Sequence, residues 1–141
     1  MSGPLVVDAS VALKWMVSEP GSDEANDLLT DLSTGAVTLF APEHMIGEVG
    51  DGLRKRVAQG ILRAEDATGA IDAFTMLGLE FVGGTERWFR SVSAALGWQM
   101  TTYDALYVLL ARELDTELVT ADQRLADAAV DRQLPVRRLG W

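Results

Sequence analysis

The chain has 141 residues, of which 48% are hydrophobic and four are Pro, with no Cys and a formal net charge of −9. That length suits one domain over residues 1–141 and leaves no room for two. The composition excludes a disordered chain, a disulfide frame and thiolate chemistry, and argues against strong nonspecific nucleic-acid binding, which needs Lys and Arg to displace counterions.

The first apolar run, PLVVD, is short and β-branched, and SVALKWMV follows at helical spacing, so a strand feeds a helix near Ser10 with Asp8 at the junction. Asp8 and Lys14 interrupt this run, no basic stretch precedes it, and it reads as structure rather than a targeting segment. SDEANDLLTDLS predicts an amphipathic helix opened by Ser22 with acids in its first turn, and VTLFAP a strand that stops at Pro42. EHMIGEVGDGLRKRVAQG predicts a helix with Ile46, Val49, Leu53 and Val57 on one stripe and Gly60 as its stop. On this helix Glu48 lies beside the stripe, on the side of His44, Asp51 and Lys55, as an ordinary solvated face would.

AEDATGAIDAFTMLG predicts another helix with an acidic start, LEFV a short strand, and TERWFRSVSAALG a helix whose Trp88, Val92 and Leu96 share a face. TTYDALYVLLA is a helix, ELVTA a strand, ADQRLADAAV a short helix and PVRRL a last possible strand. Strands alternating with helices indicate an α/β fold, a parallel sheet of four to five strands flanked by helices, whose ligands bind beyond the carboxyl ends of the strands. No stretch reaches the ~18 to 20 apolar residues of a membrane helix, and the lack of Cys fits a reducing, cytoplasmic setting.

With one His in the chain, His44, expected at a surface or boundary position, chemistry must rest on carboxylates. Asp8 ends the first strand, and Asp122 follows ELVT; both also suit a helix cap. Asp104 suits a capping box with Thr101, yet Ala105 to Ala111 is apolar on every side, and a carboxylate entering so buried a helix needs a cation or donor nearby. Acids gathered at one sheet edge cannot all ionise unless something positive sits between them. Hard oxygen ligands without His or Cys point to Mg²⁺ or Mn²⁺, ions that assist phosphoryl hydrolysis.

The order and wording of VVDASV, PEHMIGEVGDGLRK, TTYDALYVLLA and LVTADQRL resemble a PIN-domain ribonuclease of the VapC toxin type, from about residue 4 to about residue 138. The resemblance implies a PIN-like (Rossmann-like) three-layer fold. It also implies that Asp8, Glu48, Asp104 and Asp122 hold one or two Mg²⁺ or Mn²⁺ ions, with Thr120 in support. The implied activity is endoribonuclease cleavage of structured RNA such as tRNA or rRNA by a metal-activated water, leaving a 5′-phosphate and a 3′-hydroxyl. The implied partners are a second copy of the chain and an antitoxin with a basic tail, which the acidic net charge suits. Where many relatives have Asn three residues after the helix acid, this chain has Asp51, a fifth carboxylate that either tunes metal affinity or points at solvent.

Lys14 and Arg112 are the cations considered for phosphates, while Trp15 and Trp88 read as core and Trp15, Trp88 and Trp98 receive no RNA role. A haloacid dehalogenase-type phosphatase needs a second carboxylate where Ser10 stands, and a receiver domain needs an Asp and a Lys that VTLFAP and ELVTA lack. The remaining alternative is a catalytically inactive module of the same fold that binds a metal or a basic peptide.

Overall fold

A computed structural model describes residues 3–140; the outermost ends of the expected 1–141 span, residues 1, 2 and 141, lie outside the described residues. The elements follow in the order β1 (Gly3–Val7), α1 (Ala9–Met16), α2 (Ser22–Thr34), β2 (Val37–Pro42), α3 (His44–Ala58) and α4 (Ala64–Phe74). They continue with β3 (Glu80–Val82), α5 (Thr85–Trp98), α6 (Thr102–Glu113), β4 (Leu118–Thr120), α7 (Gln123–Asp131) and β5 (Val136–Arg138). All five strands pair in parallel in the order β3-β2-β1-β4-β5. Among the described residues no helix is long and apolar enough to cross a membrane.

This strand order positions the site. The chain leaves β1 in one direction to build β2 and β3, then returns past β1 to build β4 and β5. Because such crossovers are right-handed, the helices of the two halves cover opposite faces, and a crevice opens where the direction reverses, between β1 and β4. Asp8 and Asp122 follow those two strands.

The core lies on both sides of β1, where Val6 and Val7 are fully buried with Leu39, Val11, Val49, Val108 and Leu118. Helix α6 is buried nearly all round, as its apolar sequence requires: Ala105, Leu106, Tyr107, Val108, Leu110 and Ala111 are all covered. Gly52 allows α3 to sit close to α1, since a Cβ there would come within 2.6 Å of Leu13 Cδ1.

Two helical faces differ from the sequence expectation. On α3 the covered stripe is Met45, Val49 and Leu53, with Ile46 exposed and Val57 only partly covered; the helix is rolled toward Met45. On α5 Trp88, Val92 and Leu96 do share a face, but it is the outer one, at 40%, 51% and 78% exposure, and Ser91 and Ala95 are the buried residues. Small side chains at those two positions let α5 pack closely on α6. Trp88 is therefore not a core residue, whereas Trp15 is largely covered and donates its indole N–H to the Ala25 carbonyl at 2.7 Å.

Candidate active site

Asp8 is the anchor of the site. As the cap of α1, its Oδ1 accepts from the Ser10 and Val11 amides at 3.1 and 3.3 Å, and also from the Ser10 hydroxyl. Its Oδ2 accepts from the Thr120 hydroxyl of β4. Ser10 Oγ in turn accepts from the Ala121 amide at 2.9 Å, and Thr120 Oγ1 accepts from the Asp122 amide at 3.0 Å. The ends of β1 and β4 are thus tied by two hydroxyls, and the expected support by Thr120 takes the form of a direct bond to Asp8. Asp8 is 6% exposed, and burial pushes its carboxyl up to about 6, against the pull of the Ser10, Thr120 and Val11 donors and with the Asp104 charge adding to the rise.

Asp122 caps α7, accepting from the Leu125 amide at 3.2 Å through Oδ1. Thr101 caps α6, its hydroxyl accepting from the Asp104 amide at 3.0 Å. The reciprocal arm of a capping box, from the Asp104 carboxylate to the Thr101 amide, is not made. Instead Asp104 turns toward the other acids: burial raises its carboxyl first, the Asp122 and Glu48 charges raise it further, and Arg124 and the Thr101 hydroxyl lower it. Asp104 Oδ2 and Asp122 Oδ2 lie 3.9 and 3.7 Å from the same Arg124 guanidinium nitrogen.

Glu48 comes from the opposite face of the sheet and is not a free solvated residue. It is half-buried, and its Oε1 accepts from the Tyr107 hydroxyl at 2.6 Å. Burial raises its carboxyl, partly offset by that hydroxyl. Asp51 stays apart from this group, half-exposed and bridged to Arg54 at 2.8 Å and Lys55 at 3.4 Å, cations that hold its carboxyl below the usual range. Of the two readings of Asp51, pointing at solvent is the one the geometry takes.

His44, expected at a surface or boundary position, takes the boundary one. Its side chain is 9% exposed and packs among Trp88, Tyr103 and Tyr107. Burial lowers its imidazole, with the Tyr103 backbone and the Asp104 charge pulling the other way. Neither Lys14 nor Arg112 serves the site: Lys14 donates to the Pro20 carbonyl and pairs with Glu19, and Arg112 lies over the Trp98 ring at 5.8 Å. The cation that does stand at the acids is Arg124, which charge scatter along the sequence did not single out. Its spacing two residues beyond Asp122 was the available signal.

The donor set suits a hard divalent ion: four carboxylates and no sulfur or imidazole ligand, with Asp104 destabilised by two neighbouring negative charges. Among the described residues no three acidic or histidine side chains stand close enough to enclose an ion in this arrangement. The charge between Asp104 and Asp122 is relieved by Arg124 instead. Binding a metal here therefore requires the acids to draw in and Arg124 to move aside, which its 76% side-chain exposure permits.

The sequence matches the family model described as the PIN domain over residues 5–131. Ribonuclease VapC9 of Mycobacterium tuberculosis is 32% identical over 135 residues, covering 94% of this chain and 95% of that protein. Two solved structures share the fold. VapBC2 from Rickettsia felis, bound to a DNA fragment from its promoter, aligns with a TM-score of 0.68 at 15% identity, covering 96% of this chain and 98% of that one. VapC20 of Mycobacterium tuberculosis, a sarcin-ricin loop cleaving toxin, aligns with a TM-score of 0.67 at 13% identity, covering 88% and 94%.

Proposed function

The chain belongs to the PIN-domain family, and from that premise we propose that it is a single PIN domain acting as a Mg²⁺- or Mn²⁺-dependent endoribonuclease, the toxin of a toxin-antitoxin pair. The observation that supports this reading most directly is that Asp104, raised first by burial, also feels the charges of Asp122 and Glu48 and itself acts on Asp8, so the four acids share one charge neighbourhood at the β1/β4 crevice. Asp8, Asp104, Glu48 and Asp122 are the residues that would hold the ion, and Thr120 and Ser10 orient Asp8. The ion, when bound, supplies activation of water and neutralisation of the charge that develops on the phosphate.

This chain's own residues divide the remaining work. Asp8 is fixed by donors to both oxygens, so its orientation is set before the other acids draw in. Glu48 and Asp104 reach the crevice from opposite faces of the sheet, and Tyr107 holds Glu48 at a set height. The substrate class is structured RNA of the tRNA or rRNA kind, cleaved to a 5′-phosphate and a 3′-hydroxyl. VapC20, with the same fold, is a sarcin-ricin loop cleaving toxin.

The partners are a cognate antitoxin with a basic tail, consistent with the net charge of −9 and with the VapBC2 assembly of the Rickettsia felis relative, and a second copy of the chain. Exposed Phe89, Val92 and Leu96 on α5 are the face we assign to the homodimer. The protein works in the cytoplasm, as its lack of Cys suits.

The test is Mn²⁺-dependent cleavage of total RNA by the wild type, Asp8→Asn and Asp104→Asn. Both variants are expected to lose cleavage with native circular dichroism, and undiminished cleavage by both would refute the mechanism. Mapping RNA ends after induced expression then identifies the target.

A further inference from the structure

Beside the acids lies a groove of about 790 Å³, and two of the side chains that line it, Trp88 and Tyr103, are aromatic and exposed. Their rings stand nearly perpendicular at 83° with centroids 5.7 Å apart, so they form two walls of a corner. His44 lines the same groove, 5.5 Å from Trp88 and 5.7 Å from Tyr103. Its Nε2 is 3.4 Å from Glu48 Oε1, and both ring nitrogens are shielded from solvent beneath the two exposed rings. Two exposed rings forming a corner at an open groove, with a third ring packed beneath them, point to a ligand that has a flat π face.

The surroundings narrow the class. Tyr103 is the sequence neighbour of Asp104, so a ring stacked on it sits one step from the carboxylate cluster. Lys55 and Arg56 line the groove as well, bridged to Asp51 and Glu19, so cations stand near the aromatic walls together with Glu48 and Asp51. Proteins that hold a single nucleic-acid strand stack its bases on exposed aromatic rings beside the phosphate path.

We propose that Trp88, Tyr103 and His44 form a subsite for an unpaired nucleobase of the RNA, immediately beside the phosphodiester presented to Asp8, Glu48, Asp104 and Asp122. The inference rests on the RNA-cleaving reading and adds to it a requirement for a base out of its stack next to the cleaved bond. Trp88 and Tyr103 act here as specificity-determining residues and take no part in the chemistry.

The full-length protein is titrated, with calcium as the divalent ion, with an eight-nucleotide oligoadenylate and with the same sugar-phosphate chain lacking its bases, while tryptophan fluorescence is followed. The oligoadenylate is expected to quench and to bind about tenfold more tightly than the abasic chain. Tyr103→Leu should remove that preference and Tyr103→Phe should keep it, and in Trp88→Phe the quench should vanish; both side chains are exposed enough for substitution without unfolding. Equal binding of the two chains would overturn the subsite, as would quenching by an arginine-containing apolar peptide and by neither oligonucleotide. Cleavage of RNA in Mn²⁺, measured separately on the same wild-type preparation, tests the nuclease reading by itself, so the two can fail independently.

Discussion

The Tyr107 hydroxyl donates to Glu48 Oε1 at 2.6 Å, joining the buried helix on one face of the sheet to the α3 acid that arrives from the other. Tyr107 is 1% exposed, so the phenol is held firmly and Glu48 is placed by it. The hydroxyl favours the ionised carboxylate. Tyr107→Phe is therefore expected to raise the Glu48 carboxyl further, to move the acid limb of the pH–activity profile upward, and to cost about 1–2 kcal/mol of stability. Urea unfolding and a pH–rate profile check both parts, and an unmoved acid limb would remove Tyr107 from the positioning role.

Arg124 shares its guanidinium between Asp104 and Asp122 and so occupies the charge that a divalent ion would neutralise. An exposed pair of this kind is worth no more than about 1 kcal/mol. Arg124→Gln should accordingly tighten Mn²⁺ binding by about two- to fivefold, read as a rise in melting temperature that begins at lower metal concentration. Weaker metal binding in this variant would show that Arg124 supports the metal site rather than competing for it.

The pH dependence of the metal-free protein follows from Asp8. Its carboxyl rises from 3.8 to about 6 on folding, so the folded chain holds this proton more tightly than the unfolded one. Its contribution to stability is therefore complete below about pH 4 and is lost as the pH rises through about 6. Asp104 and Glu48, also raised by burial, act in the same direction. In EDTA, Asp8→Asn should raise stability at pH 7.5 by about 2 kcal/mol while leaving pH 4 nearly unchanged. Thermal melts across that range check it, and a lower melting temperature at neutral pH would contradict the cost assigned to burying this charge.

The outer face of α5 carries Phe89, Val92 and Leu96, of which Phe89 and Leu96 are 74% and 78% exposed. If this face joins two copies, Leu96→Glu should shift sedimentation from dimer to monomer with the helical circular dichroism intact. A variant that stays dimeric places the interface elsewhere.

The alternation of strands and helices was legible throughout, because each element announces itself locally: β-branched runs end at Asp8 and Pro42, and acids open α2 and α4. The site acids could be chosen for the same reason, since Asp8, Asp104 and Asp122 stand at element ends, and the resemblance supplied Glu48. Asp8 and Asp122 each use one carboxylate oxygen as a cap, while the other accepts from the Thr120 hydroxyl in Asp8 and faces Arg124 in Asp122. Helical faces were legible only in part. Periodicity shows that Trp88, Val92 and Leu96 share a stripe, but it does not say whether that stripe meets the sheet or the solvent.

By itself, then, the amino-acid sequence determined the order of elements, the parallel α/β class and the placement of Asp8, Asp104 and Asp122 at element ends, because these depend on residues close together along the chain. Only the tertiary structure decided how those positions meet. The Thr120 bond to Asp8 spans 112 residues and the Tyr107 bond to Glu48 spans 59, and both exist because the strand order reverses between β1 and β4. The placement of Arg124 between two acids, and of Trp88, Tyr103 and His44 along one groove, follows from the same reversal. Contacts of that range are set by how the crossovers pack on the sheet, and no local pattern records them.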